Sequence, residues 1–448
     1  MAMRAQTGIA TLLVTSVLLT AALLITLGSY KSLFYQIKRA QNEVKARQQH
    51  WVAEGALECF YTKAIQTQTI PQSSNFFECN TNGTVTFGFQ TLTANQTLVT
   101  ASYGFTQIQK ILTYPGKGAS GVMKATSNLY FAGGMAMRPD PGTSLGDDEW
   151  GCTMLRYSSD FKVFGTISNQ NLNDAHPPYA GFPSGQSCRN SSGDSYITTA
   201  IGNYNTPANL QQDFVNDTSQ KPFEDLFATP REQWFEVMSS KEFIKISDSI
   251  LVNGSGELLY EQSTLPAPQI VTHCGDEIAT AIESGEDLIW VYGSCHLDSD
   301  DLANIGEAID PATGISPIAG GVILVIHNGL LSTSGALDFK GMLYHFVSED
   351  SDGEPEFEPT ASLWESLDAP QKLVLDGAVG PVSGVSASNT AYFQSGSFYP
   401  IGGYVMDAPG TYAVYNSSVS FSYDQDVINV PLSKLKKLEW KSGGWYVQ

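Results

Sequence analysis

Charge is what this sequence has least of. Only 15% of its 448 residues are Asp, Glu, Lys or Arg, and just 24 residues are basic against 45 acidic, a net of -21. Such a chain has nothing to neutralise a phosphate backbone, which excludes nucleic acid as a partner. Histidine is also scarce: His50, His176, His273, His296, His327 and His345 are the six. None stands in an H-x-x-H or H-E-x-x-H spacing, so the familiar helical zinc sites are absent. No proline interrupts Gly8 to Ile70, so nothing in that stretch stops a helix. No strict repeat runs through the last 300 or so residues. Cysteine is sparse and even in number, six in all, in three local groups.

What is present fits the oxidising side of a membrane. Low charge with 41 Gly and many Ser, Thr, Asn and aromatic residues reads as β-rich and extracellular. An even cysteine count behind an apolar N-terminal segment favours disulfides. Proximity pairs Cys59 with Cys79, Cys152 with Cys188, and Cys274 with Cys295, one connectivity among many. A rival is zinc held by His273-Cys274 and Cys295-His296. Adjacent residues on a strand point to opposite faces, which makes a poor ligand set.

Gly8 to Leu27 is apolar, uncharged and long enough to cross a bilayer as a helix. Its Ser and Thr hydroxyls can bond back to helix carbonyls. The leader Met1–Thr7, with Arg4, looks like the start of a signal peptide, but no small-residue cleavage site follows the apolar run. Tyr30, Ile37, Val44 and Trp51 then recur every seven residues, with Leu33 and Ala40 three beyond the first two, forming one apolar stripe. The pattern predicts one helix of about 55–60 residues, roughly 85 Å long, with its first third in lipid. Lys31, Lys38, Arg39, Lys45 and Arg47 follow the apolar run, and the positive-inside rule alone would put the bulk in the cytoplasm. The cysteines and composition argue for the opposite side.

The short basic leader ending in Gly8, the run Ile9-Ala10-Thr11-Leu12-Leu13-Val14, and the helix end Ala46-Arg47-Gln48 to Ala53-Glu54-Gly55-Ala56-Leu57-Glu58 resemble type IV pilin-like proteins. The PilX-type pilus-assembly minor pilins are the closest group. The resemblance implies cleavage between Gly8 and Ile9 by a prepilin peptidase. It also implies packing of the apolar helix into a filament core, through residues such as Leu13, Tyr30, Ile37, Val44 and Trp51. Major pilins carry Glu at the fifth mature position, where this chain has Leu13. That departure fits a tip or initiating subunit.

Beyond the helix, Thr84–Phe89, Thr97–Ser102 and Thr106–Tyr114 alternate as strands, with an Asn82-Gly83 turn. A small antiparallel sheet is expected there, covering the apolar stripe of the helix, with Cys59–Cys79 tying the two. Asn128–Gly134 and Gly321–Phe346 read as short strands, the latter punctuated by Gly329, Gly335 and Gly341, six apart; Val419, Phe421 and Tyr423 alternate. Such spacing suggests a parallel β-solenoid, with a β-sandwich as the rival. Arg138–Pro268 reads as a loop-rich insertion, stapled by Cys152–Cys188. It holds one helix over Thr229–Phe243, capped by Thr229 with Pro230 in the first turn. Such loops are where a recognition surface is expected.

The fold class is therefore α+β: leader 1–8, transmembrane helix 9–28, exposed helix 29–68, small sheet 69–117 and a large mainly-β domain 118–448 with its insertion about 138–268. Chemistry is thin. Gly142-Thr143-Ser144-Leu145-Gly146 matches the nucleophile elbow but follows Pro-Asp-Pro instead of a strand. Asp298, Asp300 and Asp301 are weak calcium candidates, and Glu349-Asp350-Ser351-Asp352-Gly353-Glu354 fails the EF-hand spacing at Pro359. No cofactor is expected. The favoured expectation is a non-enzymatic minor pilin-like subunit in the inner membrane, with a periplasmic C-terminal domain. Its partners would be other pilin-like subunits, the pilus assembly machinery, the prepilin peptidase, the membrane and a surface ligand. The alternatives are a membrane-anchored β-solenoid enzyme acting on polysaccharide and a eukaryotic-type glycoprotein using sequons at Asn82, Asn95, Asn190, Asn216, Asn253 and Asn416.

Overall fold

The computed structural model describes residues 7–67, 79, 85–93, 96–113, 121–188, 195–203, 214–417, 419–435 and 439–447. The chain is α+β and divides into two compact units, residues 1–113 with 438–448, and residues 114–437.

The first unit is the long helix α1 (Thr7–Thr67, 61 residues) with a four-stranded antiparallel sheet. Its strands are Thr86–Thr93, Gln96–Tyr103, Thr106–Thr113 and Glu439–Val447, in that order. The first three lie close to where alternation places them. The Asn82-Gly83 turn falls outside the described residues. The fourth strand comes from the C-terminus and pairs with Thr106–Thr113, so Glu439 sits beside Thr113. The sequence reading had assigned that segment to the large domain. In effect the large unit is inserted into a hairpin of the small one.

The second unit is β-rich and mostly parallel. Strands Leu288–Leu297, Val322–His327, Gly341–Phe346, Tyr404–Asp407, Met123–Ala125, Leu155–Tyr157 and Phe214–Asn216 pair in sequence of position. The far end of Leu288–Leu297 begins a second row, continued by Leu331–Thr333, Thr390–Gln394, Tyr412–Tyr415, Asn128–Met137 and Phe161–Asn169. The sheet stays open, ending at Ser195–Asn203 on one side and Phe214–Asn216 on the other.

Register explains the core. Ile289, Leu324, Leu343, Tyr404, Met123, Leu155 and Phe214 are stacked partners, as are Cys295, Leu331, Tyr392, Ala413, Leu129 and Phe161. Both stacks point into one buried cluster. Alternate residues face outward but are also covered. Trp290, Val325, Tyr344 and Val405 pack with Phe223, Phe227, Trp234, Val427 and Ile428 from helices Pro222–Phe227, Trp234–Ser239 and Gln425–Leu435. Tyr130, Phe393 and Val414 pack with Trp364, Leu375 and Val379 from helix Ala361–Val379. Parallel strands buried on both faces read as continuous apolar runs, and VILVIH is one.

The spaced glycines are contact points. A Cβ at Gly329 would lie 2.1 Å from the Gly293 carbonyl oxygen, and one at Gly341 would lie 2.2 Å from that of Val322. One at Gly335 would meet the Ser299 Cα at 2.8 Å. Arg138–Pro268 is less separate than its composition suggests, since Leu155–Tyr157, Phe161–Asn169 and Phe214–Asn216 belong to the main sheet. Its single expected helix is a 3-10 turn, Arg231–Gln233, followed by Trp234–Ser239. Thr229 does not cap it: its hydroxyl donates backwards to the Phe227 carbonyl at 3.2 Å.

Candidate functional site

The most distinctive surface of this chain is the part of α1 that nothing covers. Ala10 to Gln48 are all exposed, about 58 Å of helix at 1.5 Å per residue. The apolar segment within it is long and hydrophobic enough to cross a bilayer. Its hydroxyls are turned inward: Thr15 donates to Thr11 O at 2.8 Å, Thr20 to Ser16 O at 2.9 Å and Thr26 to Ala22 O at 2.9 Å. That leaves the outer surface of the rod to aliphatic side chains such as Leu12, Leu19, Leu24 and Ile25.

From Gln49 onward one face is buried. Ala53, Ala56, Leu57, Phe60 and Ala64 recur at three- and four-residue steps and lie against Val99, Ala101, Ile108 and Leu112 of the sheet. The Phe60 ring sits 5.9 Å from Phe87 and 5.5 Å from Phe89, and Tyr61 stacks on Trp440 at 5.1 Å. Cys59–Cys79 is closed, and Lys110 donates to Glu58 at 2.6 Å. Where the helix leaves the sheet, Gln49 accepts from the Phe105 amide at 3.5 Å. Gly104 is required there: its φ is +62°, and a Cβ would clash with the Gln49 amide at 2.2 Å.

The stripe expected to lie under this sheet is elsewhere. At 100° per residue, Trp51 and Val44 lie about 160–180° round the helix from Ala53. Tyr30 (72% exposed), Ile37 (48%), Val44 (55%) and Trp51 (69%) remain open, with Leu13 at 61%. The face turned to the sheet is the one carrying Ala53, Ala56, Leu57, Phe60 and Ala64. Gly8 and Ile9 lie in the first turns of α1.

The other sequence candidates resolve into structural roles. Cys152–Cys188 and Cys274–Cys295 are closed disulfides, so the thiolates a zinc site would need are committed. Asp298 caps helix Ser299–Ile309: its Oδ1 accepts from the amides of Asp300 (2.8 Å) and Asp301 (2.9 Å), while Asp301 accepts from the Asp298 amide at 3.0 Å. This is a reciprocal capping box, in which the carboxylates of Asp298 and Asp301 each accept from the helix start. Asp350 likewise accepts from the amides of Asp352 and Glu354 at 2.8 and 3.0 Å. Ser144 begins a three-residue exposed strand, with no helix after it. Among the described residues no group of three or more His, Cys, Asp or Glu is placed to hold a metal.

One constellation was not legible in the sequence. His327 is fully buried, 4.8 Å from the Phe346 ring and 4.5 Å from Trp234. The Trp290 indole, which can only donate, points at His327 Nδ1 at 3.3 Å. The ring proton therefore sits on Nε2 and is donated to Ser348 Oγ at 3.0 Å. Asn328 also donates to that oxygen at 2.8 Å, and the Ser348 hydroxyl donates to Glu356. A nucleophilic serine needs the opposite arrangement, with histidine accepting its proton. Here Ser348 is 0% exposed and fully satisfied, and the network holds the Glu356 loop to the sheet. Burial holds the His327 ring well below its ordinary pKa, with Arg231 adding to the effect.

Beside it, Arg231 lies over the Phe346 ring at 4.9 Å, bonds the carbonyls of Val347 and Asp407, and faces the Asp407 carboxylate at 3.7 Å. Asp407 accepts from Tyr344 and Thr126, each at 2.8 Å. Sequence spacing gave no hint of either group, because their members come from separate strands, turns and loops that only the fold brings together.

No family profile, curated protein or solved structure matches this chain.

Proposed function

We propose that the protein is a minor pilin-like subunit of a type IV pilus or related filament system, acting in assembly or initiation, tip display or adhesion. The observation that carries the reading is the uncovered run of α1 from Ala10 to Gln48, continuous with a base seated on an antiparallel sheet. The apolar stretch within it, up to Leu27, is stable only in lipid or among similar rods. In this reading α1 anchors the chain in the inner membrane, a prepilin peptidase cuts between Gly8 and Ile9, and Leu13 with the stripe packs against other subunits. The three disulfides support a periplasmic side for the bulk of the chain.

The large unit is read as a parallel β-solenoid whose turns are out of chain order, with Met123–Ala125 docked beside Tyr404–Asp407. Its role would be display. Residues 114–437 carry 40 acidic and 15 basic side chains, net -25, whereas the remainder carries 5 and 9, net +4. An acidic unit of that size discourages aggregation between displayed domains.

Deleting the gene in its native host and counting surface pili tests the function. Loss or marked reduction of pili, restored by the intact gene, is expected. Normal piliation in the deletion strain would overturn the reading.

A further inference from the structure

The open stripe of α1 has the composition of a two-stranded seam. Written as heptads from Tyr30, the a positions are Tyr30, Ile37 and Val44 and the d positions are Leu33 and Ala40. All five are exposed and lie on the face of α1 turned away from its own sheet. β-Branched residues at a with Leu at d favour a parallel pair over higher assemblies. The flanks agree. In a parallel pair, g of one helix faces e of the next heptad on the other, which sets Gln36 opposite Gln41 and Glu43 opposite Gln48. No like charges meet. The cations Lys31, Lys38 and Lys45 recur at b, outside the a and d rows, with the Lys38 ammonium 5.0 Å over the Phe34 ring at e, and Arg39 is at c. Arg47, which ends the seam at the next d, is drawn aside by Glu43 on its own helix at 2.7 Å.

We infer that the occupant of this stripe is a second copy of the same chain, paired in register as a short parallel coiled coil over Tyr30–Val44. The inference rests on the membrane-anchor reading proposed above, because a shared membrane makes two copies run parallel. The anchor also sets the register. Slipping one chain by a heptad would displace its apolar segment by about 10 Å along the bilayer normal. A seam of two heptads is too short to hold two free chains, but confinement to one membrane raises the effective concentration.

Cysteine cross-linking in intact membranes tests this. The full-length chain carrying Ile37→Cys or Val44→Cys, at a, is compared with Arg39→Cys, on the opposite face. All three are surface positions, and trypsin resistance of the large unit checks that each variant is folded. Under mild oxidation, I37C and V44C are expected to give the homodimer at least about tenfold more than R39C does. Two differently tagged copies, co-expressed, should appear in one cross-linked band, and adding Val44→Lys to I37C should abolish it. Equal cross-linking at R39C, adducts only with a different protein, or monomer throughout would each overturn the inference. Piliation is a separate readout: lost pili on gene deletion without cross-links refutes only the pairing. Cross-links with normal piliation refute the pilus function and leave the pairing standing.

Discussion

His345 and His327 are the residues whose chemistry most directly reports on packing. Burial lowers the His345 pKa from 6.5 to about 4, against the Gly329 carbonyl it bonds at 2.8 Å and the nearby Asp407. A ring with a depressed folded pKa is neutral in the fold and protonated in the unfolded chain below 6.5. Its contribution is thus complete above that pH and is lost as pH falls towards 4, by on the order of 3 kcal/mol for His345. Urea-unfolding midpoints measured from pH 7 to pH 4 should fall, and His345→Gln should flatten the slope. Ser348→Ala leaves the His327 Nε2–H and an Asn328 amide hydrogen without an acceptor, and is expected to cost about 1–3 kcal/mol per orphaned donor. The same denaturation series measures it. The residue level was only partly legible. Cysteine proximity was enough for the disulfides, because each pair closes a short loop. At Asp298, a weak calcium candidate in the sequence, the structure has a helix start, a cap followed by Leu302, Ile305, Ala308 and Ile309. His327, Ser348 and Glu356 left no local trace, since the pairing of Val322–His327 with Gly341–Phe346 and the loop that returns through the Glu349–Pro355 bridge bring them together.

At the scale of elements, glycine positions divide by what surrounds them. Gly329→Ala drives a methyl group into the Gly293 backbone and should destabilise the large unit by about 2–3 kcal/mol. Gly377→Ala, on the exposed side of helix Ala361–Val379 with nothing within 4 Å, should stabilise it by about 0.5–1 kcal/mol. Thermal unfolding of the two variants checks both signs. The long helix was legible because an unbroken apolar run and a seven-residue stripe dominate their windows. What covers the stripe was not, since periodicity marks an apolar face without saying who buries it. Helices Cys274–Glu283 and Ala361–Val379 were missed beneath a β-like composition. The second bends at Asp368, two residues before Pro370, which hid its length.

For the whole molecule, the governing fact is insertion. Residues 114–437 leave one strand of a hairpin and return to its partner, so the large unit has its own core and a boundary crossed twice. Produced alone in an oxidising compartment, residues 114–437 should fold, keep Cys152–Cys188 and Cys274–Cys295 closed, and show a single cooperative unfolding transition. Aggregation with free thiols would show that the unit depends on the rest of the chain. The last strand, which composition puts with the large unit, belongs to the small one, and local patterning could not show it because the pairing of Thr113 with Glu439 bridges about three quarters of the chain. Everything proposed about function depends on α1 being a processed, embedded rod. Mass spectrometry of the mature N-terminus, on protein from its native membrane, tests that most directly. A chain beginning at Ile9 is the expected result, and an intact Met1 would contradict the account.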